Sequence, residues 1–424
     1  MEKIIRLKIY EGVNFTYIPE TKFKTTQISF SFFVPLDKNE VSKNAVIPSL
    51  LSRECNVYPS VTKMNKKLEE LYGASITSSI SKVGDFQVLT VSACSLNNIF
   101  IPDGSDNIQQ TIDLLCETIF NPYVKDGAFD EKSLNDEKRQ LIEDIQAIKN
   151  DKKSYAKEKC EEIMCKGEKY GINELGTVQS VSELTPQNVY ESYKKLLQFA
   201  PIEIVITGCC AYEKIIENIK KKFSTVNRTS DLDLKSEIIT TVKQTKVINE
   251  VMDVNQCKLV MGLRTGVARP DDGVNILKVL NAMLGGTAQS KLFLNVREKL
   301  SLCYYCSSKY NSYKGIMTIE SGVEKNNIER AKNEILNQLK DLTLGNFSDT
   351  DLEETKLYLS QSMQKIQDNI SDLNSWYLSQ VFDKTICSPD EAIEKINSVS
   401  REQIIKFAEN IKLDTIFILA GNKE

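Results

Sequence analysis

Two stretches of the chain, SVSELTPQNVYESYKKLLQFAPIEIVITG and NSVSREQIIKFAENIKLDTIFILAG, share one layout. Each has a Ser or Thr at a cap position, an amphipathic run, and then an apolar run that ends in glycine. The capping oxygen and the 3.6-residue period predict a helix, and the apolar run predicts a buried strand. Thr185 and Ser400 hold the cap positions, 215 residues apart, and the closing glycines Gly208 and Gly421 are 213 apart. A second echo, TTQISFSFFVPL against NQCKLVMGL, is a strand leading through a turn into a helix, offset by 229 between Gln27 and Gln256. A repeat at half the chain length restricts the fold to two units of one architecture.

Each half of a 424-residue chain is large enough for its own core. The break is expected over 226–244, where STVNRTSDLDLKSEIITTVKQT is polar, lacks a period and follows the lysine-rich helix end EKIIENIKKKF. The two domains are then 1–225 and 245–424. Strands flank helix-rich middles, among them Glu131–Asn150 with Leu134, Leu141, Ile142, Ile145 and Ile148 on one face. This order argues for an α+β class, each domain a mainly antiparallel sheet with helices packed on one face.

The chain has no histidine. Ser-His-Asp and Cys-His catalysis and histidine-rich zinc sites are thereby excluded, so any self-contained chemistry rests on carboxylates, Lys, Tyr or Cys. Lys and Arg number 54 against 58 Asp and Glu, a net charge of −4, which provides no basic field for nucleic acid or an anionic membrane. Eleven cysteines, scattered from Cys55 to Cys387, fit a reducing compartment better than a disulfide framework. The start, MEKIIRLKIYEGVNF, has no apolar core of signal-peptide length, and ISFSFFV and IEIVITG are too short to span a bilayer, so a cytoplasmic location is expected.

Several groups are candidates for chemistry. Cys303 and Cys306, in LCYYCSS, lie in a strand-like context, where an odd separation sends the two thiols to opposite faces and argues against a metal pair. Cys160 and Cys165 sit in a helical stretch and diverge around its axis, while Cys209 and Cys210 follow a buried strand with no base to form a thiolate. LGGTAQSK lacks the spacing of a phosphate loop and reads as a helix end. Glu137, Glu143 and Asp144 read first as the solvated face of a helix. Arg297 and Tyr304, seven residues apart where a helix passes into a strand, are either surface and core-edge residues or a pair of donors for a peptide carbonyl or oxyanion.

The segment LGGTAQSKLFLNVREKLSLCYY resembles the Arg/Tyr segment in the second domain of the insulinase-like (pitrilysin) zinc metallopeptidases. LEELYGA, DEKRQLIEDI and LTPQNVYESYKKLLQFAPIEIVITG follow in that family's order, and the likeness covers nearly the whole chain. The family carries His-x-x-Glu-His on an early helix and a third zinc ligand, a Glu, on a later one. Anchored on the downstream YPS, the resemblance puts Ala45, Pro48 and Ser49 of KNAVIPSLLSREC where His, Glu and His would stand, and Asp144 at or beside the third ligand. Arg297 and Tyr304 match the family's substrate-binding pair. The ensemble is similar to the zinc-less, YmfF-like branch.

The resemblance implies a half-clamshell of two homologous domains with no cofactor and no catalytic residue of its own, the zinc being expected in a partner. That partner is a zinc-bearing insulinase-like sibling, as in bacterial members that pair two chains of this length, and the substrate is an unfolded peptide. The rival reading is a peptide-binding or structural scaffold that forms a homodimer and has no proteolytic role. A metallopeptidase using Cys and carboxylate ligands is the third reading, and no soft-ligand cluster has workable spacing for it.

Overall fold

The computed structural model describes residues 3–230, 232–383 and 385–421. The chain runs β1 (Ile5–Tyr10), β2 (Val13–Pro19), β3 (Thr25–Pro35), α1 (Val41–Arg53), α2 (Val61–Glu70), β4 (Ser75–Val83), β5 (Phe86–Leu96) and α3 (Asn107–Phe120). A two-residue hairpin, β6 (Val124–Lys125) and β7 (Ala128–Phe129), precedes α4 (Glu131–Asn150), α5 (Lys152–Met164), α6 (Val178–Ser182), α7 (Pro186–Phe199), β8 (Ile202–Gly208) and α8 (Tyr212–Phe223). Then come β9 (Lys246–Met252), β10 (Cys257–Arg264), α9 (Gly273–Asn281), β11 (Cys303–Asn311), β12 (Ile316–Val323), α10 (Ile328–Thr343) and α11 (Asp349–Ile366). The order closes with α12 (Ile370–Leu378), α13 (Pro389–Asn397), α14 (Arg401–Ala408) and β13 (Lys412–Gly421).

The chain divides into two units that are not consecutive in sequence. The first holds 1–146, 172–234 and 367–381, and the second holds 147–171, 235–366 and 382–424. Between Phe223 and Lys246 the described residues form no helix or strand. Arg228 in that stretch is nevertheless buried, its guanidinium bonding the carbonyls of Glu11, Leu197 and Ala200.

The first unit has a six-stranded sheet in the order β1-β2-β8-β3-β5-β4, and the second a five-stranded sheet, β11-β12-β10-β13-β9. Read from the opposite edge, the second order repeats β2-β8-β3-β5-β4 of the first, down to one parallel pair in each, β2 with β8 and β9 with β13. All other neighbours are antiparallel. Thr185 and Ser400 do cap α7 and α14, each in a reciprocal box with Asn188 and Gln403. Such caps satisfy amide donors that the first helical turn leaves unpaired.

Burial explains why one helix layer per sheet is insufficient. In β8 every residue is buried, and in β10 all but Lys258, so both faces of these strands need cover. In the first unit α1, α3, α7 and α8 pack around Phe30, Phe32, Ile204 and Ile206 on one face. The other face carries Ser29, Val205 and Thr207, and there α12 is bound through Asn374: Ser29 Oγ donates to Asn374 Oδ1 at 2.9 Å, and Asn374 Nδ2 donates to the Val205 carbonyl at 3.2 Å. In the second unit α5 plays this part, packing Ala156 and Cys160 on Val260, Phe417 and Leu419. The end of α5 is pinned by a buried ion cluster in which Arg264 bonds Glu168 and Asp414, and Lys314 bonds Glu168 at 2.9 Å. Burial opposes the charge on Glu168, but the hydrogen bonds from Arg264 and Lys314 outweigh it and hold the carboxyl below its ordinary range.

Candidate functional site

Arg297 and Tyr304 both belong to the second unit. After α9 the chain makes a wide π-helical turn over Ala282–Gly286 and a second wide helix over Leu292–Lys299. Gly285 permits the approach of this segment to β11, since a Cβ there would stand 2.6 Å from the Ser308 amide nitrogen and 2.7 Å from Leu292 Cδ1. Leu292 and Val296 turn into the core, whereas Leu294 and Arg297 turn outward. The second wide helix ends as the Leu300 amide bonds the Asn295 carbonyl and the Leu302 amide the Val296 carbonyl, each at 3.1 Å.

The strand that follows does not keep simple alternation. Cys303 pairs with Val323 and Tyr305 with Gly322, so Tyr304 is an extra residue with no partner on β12. A bulge of this kind flips everything before it to the other face. Cys303 and Cys306 therefore lie on the same face, both buried, with Val323 and Ser321. The expectation that an odd separation separates the two thiols is overturned, because the inserted residue makes the effective spacing even. A hydrogen bond between the Cys303 and Cys306 side chains outweighs burial and, with the Ser321 hydroxyl and the Arg297 charge, lowers the Cys303 thiol. The same hydrogen bond, added to burial, pushes the Cys306 thiol up.

Tyr304, thrown outward by the bulge, is 60% exposed, and its hydroxyl donates to Glu324 Oε1 at 3.1 Å. The Arg297 side chain is 39% exposed, its guanidinium 4.6 Å from the Phe293 ring and its Nε 3.6 Å from Glu298 Oε1. Arg297 is close enough to act on the Cys303 thiol, and Tyr304 is the next residue along the strand. Leu294 and Leu300, in the same segment of the chain, are both more than two-fifths exposed. A planar fork of donors, a phenol and an apolar shelf can hold a peptide backbone; none of these groups activates water.

The zinc-motif positions lie in the first unit. Ala45 and Pro48 are buried in α1 and Ser49 is half-buried, its carbonyl accepting from Ser52 Oγ at 3.0 Å. Pro48 faces a small apolar cavity with Phe32, Leu51 and Leu89. Asp144 is exposed on α4, and its carboxylate accepts from Gln140 at 2.9 Å. What joins α1 to α4 is an ion pair: Arg53 donates to Glu137 at 2.7 Å and to Asp136 at 3.2 Å. Two apolar side chains and a hydroxyl do not make a zinc donor set. Among the described residues no group of three or more Cys, Asp or Glu is placed to hold a metal ion. The Arg53 bridge and the bulge at Tyr304 have no local sequence signal.

Comparison with known proteins assigns the class. A family model described as "Peptidase M16 inactive domain" matches residues 183–359. The chain is 31% identical, over all of its length and 99% of the relative's, to "Probable inactive metalloprotease YmfF" of Bacillus subtilis strain 168. It is 23% identical to "Uncharacterized zinc protease YmxG" of the same organism, covering 70% of this chain and 71% of that one. Among solved structures, a conserved protein from Enterococcus faecalis V583 superposes with a TM-score of 0.91 at 28% identity, covering 99% of both chains. The chain belongs to the insulinase-like M16 peptidase family, as a zinc-less member whose sequence has no histidine for the His-x-x-Glu-His motif.

Proposed function

We propose that the chain is the non-catalytic subunit of a heterodimeric insulinase-like peptidase, supplying Arg297 and Tyr304 to peptide bound at a zinc-bearing sibling. The observation that carries this reading is the exposure of Tyr304 at the bulge and of the Arg297 side chain in the segment leading to it, in a chain whose α1 has no metal donors. The guanidinium fork donates to peptide carbonyls, the tyrosine hydroxyl donates to the carbonyl oxygen as it gains charge, and water activation belongs to the partner.

The test is affinity purification of the full chain from its native cell extract, with zinc measured in the eluate and cleavage of an unfolded peptide followed. A zinc-loaded sibling carrying His-x-x-Glu-His is expected near one-to-one. Arg297→Ala is then expected to slow cleavage by about tenfold or more while the complex still assembles. Unchanged turnover removes Arg297 from the site, and a chain that comes down alone and metal-free overturns the heterodimer.

A further inference from the structure

The bulge on β11 does more than expose Tyr304. It turns Cys303 and Cys306 onto one face, where they hydrogen bond to each other, with the Ser321 hydroxyl and the Arg297 guanidinium beside Cys303. Neither residue takes part in the proposed peptide contact, yet two thiols in contact beside a cation form the arrangement in which a thiolate is both generated and trapped. We infer that Cys303 and Cys306 are an oxidisable dithiol, Cys303 the attacking sulfur and Cys306 the resolving one, which a hydroperoxide converts to an intramolecular disulfide.

Cys303 is the better nucleophile because the neighbouring Cys306 side chain and the Arg297 charge both favour its thiolate. It is also the less enclosed of the pair, 9% exposed against 4%. The thiolate attacks one peroxide oxygen, the O–O bond breaks, and the leaving oxygen takes a proton and departs as water or alcohol. Cys303 is then a sulfenic acid, oxidised by two electrons. The Cys306 sulfur attacks it, the S–O bond breaks, and hydroxide leaves as water with the Cys306 proton. Two thiols and one hydroperoxide give one disulfide, one alcohol or water, and one further water. Closure joins the residues on either side of the Tyr304–Tyr305 pair and fixes the backbone that presents Tyr304.

Trypsin releases both sulfurs in one peptide, Leu300–Lys309, which contains no other cysteine. The full-length protein is treated with a modest excess of hydrogen peroxide while folded, then denatured, alkylated and digested. The expected result is a Leu300–Lys309 peptide lighter than the dithiol by two hydrogens, with complete loss of alkylation at both cysteines until a reductant is added. In Cys306→Ser the sulfenic acid has no resolving thiol, and Cys303 is expected to carry added oxygen; in Cys303→Ser, Cys306 is expected to stay fully alkylated. Two alkylated cysteines in the oxidised wild-type protein overturn the inference, as does oxidation of Cys306 at the wild-type rate when Cys303 is absent. The readout needs neither a partner nor a peptide, so it is independent of the heterodimer.

Discussion

Glu203 is the most enclosed carboxylate of the first sheet, 3% exposed on β8, accepting from Asn14 at 2.7 Å and facing Arg6 at 3.4 Å. Burial outweighs both partners and raises its pKa. A carboxyl raised above its unfolded value, about 4.3, favours the folded state while protonated, and this contribution is lost as pH rises through the folded value. Glu203→Gln, which keeps an acceptor for Asn14 without the charge, is therefore expected to raise Tm at pH 7 by about 1–3 °C. Near pH 4 the variant and wild-type melting curves should coincide, and calorimetry at the two pH values checks this. A residue of this kind was legible only as an odd polar letter in IEIVITG. Arg297 and Tyr304 could be singled out as candidates because their segment has a recognisable order, but the bulge that turns Tyr304 outward depends on register against β12, which local sequence does not encode.

At the scale of elements, helix ends and apolar runs could be read directly. Thr185 and Ser400 cap where expected, and α4 spans Glu131–Asn150. The second layer could not be read. LVMGL and IEIVITG look like strands buried on two faces, but nothing local says that Lys152–Met164 covers the first and Ile370–Leu378 the second. Gly262 is where the close packing of α5 is decided, since a Cβ there would stand 2.7 Å from Met164 Sδ and 3.3 Å from Cys160 Sγ. Gly262→Val is expected to cost about 1–3 kcal/mol by lifting α5 from β10. Denaturant unfolding measures the loss, and faster amide exchange confined to α5 and its neighbours identifies the cause.

At the scale of the molecule, the repeat in the sequence correctly anticipates two sheets of matching order, whereas a cut at 226–244 does not separate the two units. Residues 147–171 belong with the second unit and 367–381 with the first, an exchange that follows from which strands need cover on both faces. A fragment 1–234 lacks α12, and a fragment 235–424 lacks α5. Each alone is expected to show weak near-UV dichroism and a broad melt, while the two co-expressed should co-purify and regain a cooperative transition; independent cooperative folding of 1–234 would contradict this. The same exchange sets a timetable for synthesis. A growing chain presents its amino-terminal half first, but the first unit stays incomplete until 367–381 has been translated. At about 5–20 residues per second, that wait lasts roughly 7–30 s. Throughout it, the side of β3 and β8 that α12 will cover stays open to solvent and to other nascent chains, and this chain's window of vulnerability to misassembly falls before translation ends.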